Sequence, residues 1–135
     1  MVKTTGQLKK KAWKLVSEFV RLRDCLKTTG TLEWGHCVTC GKKFSYKALQ
    51  AGHVIDGRVG MNFLDVRGIF GQCMQCNVWK HGAKDIYIPW FLKEYGPELF
   101  DEIMREKRTP CLWKRAEYEA FIEKIKQDIK YIKEL

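Results

Sequence analysis

Apolar residues recur at steps of three and four near the N-terminus. Leu8, Ala12, Leu15, Phe19, Leu22 and Leu26 are separated by lysines and arginines, and that spacing predicts an amphipathic helix over 7–27. Thr28-Thr29-Gly30 ends it. From 31 to 82 the period is lost. This stretch holds all three histidines, four of the six cysteines and eight of the 11 glycines. Its turn signals mark an irregular, metal-organised segment, with strands predicted near 44–46 and 51–55. Helical spacing returns from about 86, where Ile86, Trp90, Phe91 and Tyr95 share a face and Pro89 suits a first turn. Gly96-Pro97 reads as a stop and restart, giving a helix over 97–107 that Thr109-Pro110 breaks. A last helix is predicted over 112–134. Its Tyr118, Ile122, Ile125, Ile129 and Ile132 form a two-heptad seam. Packing on the protein's own body is preferred for this seam over a homodimer interface.

These elements predict an α+β chain that folds as a single domain over 1–135. A basic N-terminal helix occupies 1–30, a zinc-knuckle core 31–83 and a helical part 84–135. The 135 residues are 45% hydrophobic, enough for one modest core. Lys and Arg number 25 against 16 acidic residues, a net charge of +9, which attracts polyanions such as nucleic acid. No run approaches the ~20 apolar residues of a membrane span, and no apolar stretch follows the N-terminal charge. A cytoplasmic setting is expected. There, cysteines serve metals or stay free rather than forming disulfides.

Cys37-Val38-Thr39-Cys40 and Cys73-Met74-Gln75-Cys76 are two Cys-x-x-Cys pairs, and Gly41 fits the tight turn of a knuckle. Four thiolates in tetrahedral geometry make a closed structural Zn²⁺ site, whose binding free energy becomes folding free energy. The 32 residues between the pairs leave room for an insertion. Cys25 and Cys111 lie outside the pattern and read as small buried hydrophobes. His36 reads as a spare ligand or, preferentially, a surface residue.

Within the insertion, Ala51-Gly52-His53-Val54-Ile55-Asp56-Gly57-Arg58 sets a histidine before β-branched residues and a turn. Asn77 follows Cys76 directly, and His81 stands four residues on, a spacing that shares a face on a helical turn. The pair is a candidate for holding a divalent ion, although Asn77 after a knuckle is equally a turn or cap residue. Cys-x-x-Cys, Gly-His and Cys-x-x-Cys-Asn-x-x-x-His, in that order, resemble the zinc-containing HNH nucleases. Cys37–Gly41, Leu49-Gln50-Ala51-Gly52-His53, Gly57-Arg58, Gln72-Cys73, Cys76-Asn77 and Lys93-Glu94-Tyr95-Gly96 are together similar to the phage NinG family, also called Rap recombinases. The likeness covers roughly residues 13–105.

The resemblance implies a ββα-metal, HNH-like core. It also implies a structure-specific endonuclease that cuts branched recombination intermediates, Holliday junctions and D-loops, in the host-cell cytoplasm. His53 then takes the general-base position, and Asn77 and His81 take metal-ligand positions for Mg²⁺ or Mn²⁺. The chain departs from the HNH pattern at Gly52, where a ligand often precedes the base. It departs again at Leu64–Phe70, which lacks the middle Asn. Asp56, Asn62 and Asp65 are the candidates to complete the shell. Arg58 is a candidate phosphate clamp or a plain salt-bridge partner. Lys9, Lys10, Lys11, Lys14, Arg21 and Arg23 of the first helix are the expected phosphate contacts, in preference to the basic residues of the last helix. The alternative function is a non-catalytic, zinc-stabilised nucleic-acid-binding module, and a second rival is an adaptor that uses the heptad seam. Metal-dependent nicking separates the enzyme from both.

Overall fold

The computed structural model describes residues 2–135. Its first helix, α1 (Thr5–Thr29), opens with a capping box. The Thr4 hydroxyl accepts from the Gln7 N–H at 3.1 Å, and the Gln7 side chain accepts from the Thr4 N–H at 2.8 Å. Gly30, at φ 77°, closes it with an N–H···O bond to Leu26 of 2.9 Å.

Two short antiparallel hairpins follow. β1 (Trp34–His36) pairs with β2 (Lys43–Ser45). β3 (Leu49–His53) pairs with β4 (Ile69–Cys73), with Leu49 opposite Cys73 and His53 opposite Ile69. A turn over Gln75–Trp79 leads to α2 (Lys84–Tyr95), α3 (Pro97–Lys107) and α4 (Arg115–Lys133). This is a mixed α+β chain with two small sheets. No helix among the described residues is long and apolar enough to cross a membrane.

The heptad seam is used inside the chain. Tyr118, Ile122 and Ile125 are buried with Leu8, Ala12 and Val16 of α1 and with Ala51 and Ile69 of the β3–β4 hairpin. Ile129 and Ile132 close over Leu22. α1 is thus sandwiched, with α4 on one side and the hairpin on the other. Hence its most buried positions include Val16 and Val20 as well as the expected Leu8, Ala12 and Leu22, while Leu15, Phe19 and Leu26 pack only in part. A second core of Val54, Ile55, Phe70, Tyr87, Phe91 and Ile103 lies under α2 and α3.

The edge of β4 away from β3 is covered not by a third strand but by side chains and by one backbone donor of the first knuckle, Val38 N–H to Gly71 O at 2.9 Å. Asp24 Oδ2 accepts the Gly71 N–H at 2.7 Å, and Oδ1 accepts from Arg23 Nε at 2.8 Å. The Arg23 guanidinium donates to the carbonyls of Val66 (2.9 Å) and Ile69 (2.6 Å) and lies over the Phe70 ring. Arg23, expected at the phosphates, is therefore a structural clamp whose guanidinium bonds the Asp24 carboxylate and two backbone carbonyls.

Two expectations for α2 are corrected. The helix starts at Lys84, so Pro89 falls in its second turn rather than its first. The carbonyl that Pro89 cannot bond belongs to Asp85, an exposed residue. The inward face carries Tyr87 and Phe91, while Ile86 and Tyr95 remain exposed. The Tyr87 hydroxyl donates to the Gly52 carbonyl at 2.6 Å and sets that rotation.

Candidate functional site

Cys37 and Cys40 lie in the turn after β1. That turn is tied by Cys37 N–H to Lys42 O and Gly41 N–H to Cys37 O, both 2.9 Å, with Gly41 at φ 75°. His36 Nδ1 bonds the Gly41 carbonyl at 2.8 Å, so its ring buttresses the knuckle instead of supplying a ligand. Cys73 ends β4, and Cys76 lies in the turn that follows. One sulfur from each of the four falls within 4.8 Å of the others. A zinc at ~2.3 Å from four sulfurs in tetrahedral geometry requires sulfur–sulfur edges of about 3.8 Å, and Cys40 Sγ and Cys73 Sγ stand 3.8 Å apart. The donor set therefore fits a structural metal such as zinc.

As bare thiols Cys37 and Cys73 are poorly matched. Burial works to raise Cys37, but the Cys40 N–H, the Thr39 hydroxyl and the Cys73 N–H outweigh it and bring the thiol down to about 6. Burial and the neighbouring sulfurs push Cys73 up to about 12. Cys25 is fully buried where α1 meets Gly35, as a packing residue, whereas Cys111 is only half-buried.

Beside the knuckles lies a cavity of about 380 Å³ lined by Trp13, Ala51, His53, Asp56, Gly57, Arg58, Phe63 and Asn77. His53 ends β3. Its ring stacks on Trp13 (centroids 5.0 Å apart, planes 12° apart) and on Phe63 (5.5 Å, 17°). His53 Nε2 is 2.8 Å from the Phe63 carbonyl. A carbonyl only accepts, so Nε2 carries the hydrogen and Nδ1 of the neutral ring keeps its lone pair. Burial lowers the His53 pKa below its ordinary value. The Phe63 carbonyl and Asp56 oppose the shift, and Lys84 and Arg58 add to it. The ring is neutral at pH 7.

The cavity gathers Asn77 and Arg58 around His53 but leaves His81 out. Gln75–Trp79 winds as a wide π-type turn, and His81 (φ 51°) then enters the left-handed region with Gly82 and Ala83. The expected helical i, i+4 pairing of Asn77 with His81 is thereby lost, and His81 is exposed. Of the three candidates to complete the shell, Asp56 lines the cavity. Asn62 is buried and donates to the Ile55 carbonyl at 2.8 Å, and Asp65 is held by Arg67 at 2.7 Å.

Gly52 has a steric reason to be glycine. A Cβ there would sit 1.9 Å from Gln72 Oε1 and 2.9 Å from Asn77 Oδ1. Gln72 is fully buried, and its Nε2 donates to Thr39 Oγ1 (3.2 Å) and Gly82 O (2.9 Å). One amide thus bridges both knuckles behind the cavity. Asn77 Nδ2 donates to Gln50 Oε1 at 2.8 Å, which orients its own Oδ1.

Lys84 is a further participant that sequence reasoning missed. Its ammonium donates to the carbonyls of His53 and Val54 and pairs with Asp56 at 3.2 Å. Burial lowers its pKa, against the pull of Asp56. Gln72 was detectable as the one polar side chain in the otherwise apolar run Ile69–Cys73. Lys84, Trp13 and Phe63 carried no local signal.

The remaining basic residues of α1 divide by position. The Lys9 ammonium donates to the Arg58 carbonyl and lies 4.9 Å from the Phe63 ring centroid, at the cavity lip. Lys10 and Lys14 are exposed. Arg21 lies over Tyr46 at 4.4 Å. Lys11 has its pKa lowered by the charges of Lys126 and Lys3, so α4 brings Lys126 near the basic face of α1, while Lys124 and Lys133 are paired with Asp128 and Glu18.

A family model described as NinG, Bacteriophage Lambda NinG protein, matches residues 1–134. No curated protein and no solved structure matches.

Proposed function

Since this chain belongs to the bacteriophage Lambda NinG protein family, which implies a role in phage recombination, we propose that it acts there as a metal-dependent endonuclease of the HNH type on branched DNA. The observation that carries the reading is His53: a neutral imidazole with Nε2–H on a backbone carbonyl and Nδ1 without a partner among the described residues, on the wall of a cavity that Arg58 also lines, with Lys9 bonded to the Arg58 carbonyl. The order β3, β4, then a helical turn carrying Cys76 and Asn77, supports a ββα-metal arrangement.

Hydrolysis of a phosphodiester needs a base for the attacking water. Nδ1 of His53 takes that proton, and the Phe63 carbonyl stabilises the imidazolium as it forms. The stack on Trp13 and Phe63 and the Lys84 clamp on the His53 carbonyl hold the ring in one orientation. Arg58 and Lys9 meet phosphate charge at the lip. Asn77 Oδ1 and the Asp56 carboxylate are oxygen donors of the kind that suit a hard cation, and bound Mg²⁺ or Mn²⁺ would supply charge neutralisation at the scissile phosphate.

The test is nicking of a four-way junction and a linear duplex in Mg²⁺, Mn²⁺ or chelator. His53→Ala is expected to lose ~10²-fold or more in rate while keeping its DNA affinity. Unchanged cutting removes His53 from the mechanism. One observation, His81 outside the cavity, favours the rival reading of a module that binds without cutting. Failure of the wild type to nick any of these DNAs in either metal rejects the enzyme, and retained DNA binding at moderate salt then decides for that rival over an adaptor.

A further inference from the structure

The turn that carries Asn77 presents a second, unused face. Asn77 lines the cavity, but Trp79, two residues on, is 74% exposed and forms a shallow groove with Met74 and Gln75, and Met74 is itself 52% exposed. An indole so far out of the core contributes nothing to packing. It is nonetheless held on a rigid support. Cys73 and Cys76 anchor the turn in the four-sulfur cluster, and Lys80 N–H to Gln75 O and Gly82 N–H to Cys76 O, both 2.9 Å, close it.

The two segments that support this face carry charge of one sign. Segments 34–55 and 66–84, which bear both knuckles and the β3–β4 hairpin, contain no aspartate or glutamate. They carry Lys42, Lys43, Lys47 and Lys80, and also Arg67 and Lys84, which are paired with Asp65 and Asp56 at the other end of the hairpin. Leu49 opposes Cys73, so Lys47 enters the hairpin at the end where Met74 and Gln75 leave it. A flat aromatic face among cations, with no acid on its supporting segments, complements a polyanion that offers flat faces of its own.

We propose that Trp79, backed by Met74, is a stacking platform for an unpaired base of the DNA strand whose phosphate enters the cavity. Two residues span at most about 7 Å of chain, and phosphates along one strand of a duplex recur every ~3.4 Å. The stacked base therefore lies within a few nucleotides of the phosphate at His53. Bases are free to stack this way only where pairing is interrupted, so the platform gives a preference for branch points, gaps or flaps without reading sequence. The proposal rests on the nuclease reading for the location of the phosphate.

The test measures binding, not cutting, so its outcome is separate from that of the His53 assay. Full-length protein without added divalent cation is titrated by fluorescence anisotropy against a fully paired duplex and against the same duplex with a central five-nucleotide gap. Trp79→Ala is expected to weaken binding to the gapped DNA by about 5- to 150-fold, the range for losing one base–aromatic stack. Binding to the paired duplex stays within about twofold, and Trp79→Phe keeps most of the gapped-DNA affinity. Equal losses on both DNAs, or none on the gapped one, overturn the proposal. So does sedimentation of the wild type as a dimer and of Trp79→Ala as a monomer, which would assign the face to a second copy of the chain. Far-UV circular dichroism of both variants verifies the fold.

Discussion

Replacing Gly52 by alanine probes the support behind the cavity with a single methyl group. The new Cβ lands 1.9 Å from Gln72 Oε1, and ordinary contact begins at 3.4 Å, so the Gln72 amide has to retreat by about 1.5 Å. It cannot do so while Nε2 holds both Thr39 Oγ1 and Gly82 O. Overpacking a core of this kind costs about 1–3 kcal/mol, and each buried group stripped of its partner costs about 1–3 kcal/mol more. The expected total is roughly 3–5 kcal/mol, which for a chain of this size lowers Tm by roughly 10 °C or more. Asn77 Oδ1, 2.9 Å from the same methyl, is displaced with it, so nicking also falls. Scanning calorimetry of Gly52→Ala, Gln72→Ala and the double variant gives the coupling. Two residues in collision should show an interaction energy of about 1 kcal/mol or more, the double variant losing less than the sum of the singles. A Gly52→Ala protein that melts with the parent, or strictly additive losses, refutes this account of why glycine precedes the histidine.

Three other outcomes are expected. Stripping the metal with a chelator, or replacing Cys73 by serine, should abolish the cooperative thermal transition, because the binding free energy of a structural zinc site is folding free energy. Atomic emission should give one zinc per chain before treatment, and an unchanged melt afterwards counts against the four-sulfur site. Asp24→Ala leaves the Gly71 N–H and the Arg23 guanidinium without their carboxylate and is expected to cost about 3 kcal/mol in urea unfolding. Because burial lowers the folded-state pKa of His53, the unfolded chain binds its proton first as pH falls. The His53 contribution to stability is present above the ordinary histidine value of 6.5 and is lost as pH drops from there through the folded value. His53→Gln should flatten that part of the stability–pH curve, and the acidic limb of the wild-type rate profile should lie below pH 6.5.

Local pattern was enough for whatever depends on neighbours in the chain. The period of α1, the Gly96-Pro97 break and the heptad seam of α4 each require only residues within a turn or two, and they stand where spacing put them. The four cysteines were legible because a two-residue gap is itself a ligand geometry. Distance along the chain hid the rest. Arg23 looks like any other cation on a basic helix until Val66 and Ile69, more than 40 residues away, present their carbonyls. His81 has the right spacing from Asn77, but a left-handed reversal at 81–83 turns the backbone there and brings Gly82 O to Gln72 and Lys84 to His53. Side-chain types and their intervals thus defined which groups were available for chemistry. Only packing of α1 and α2 against the β3–β4 hairpin decided which of them share a cavity, because burial, tautomer and free lone pairs belong to contacts between residues far apart in sequence.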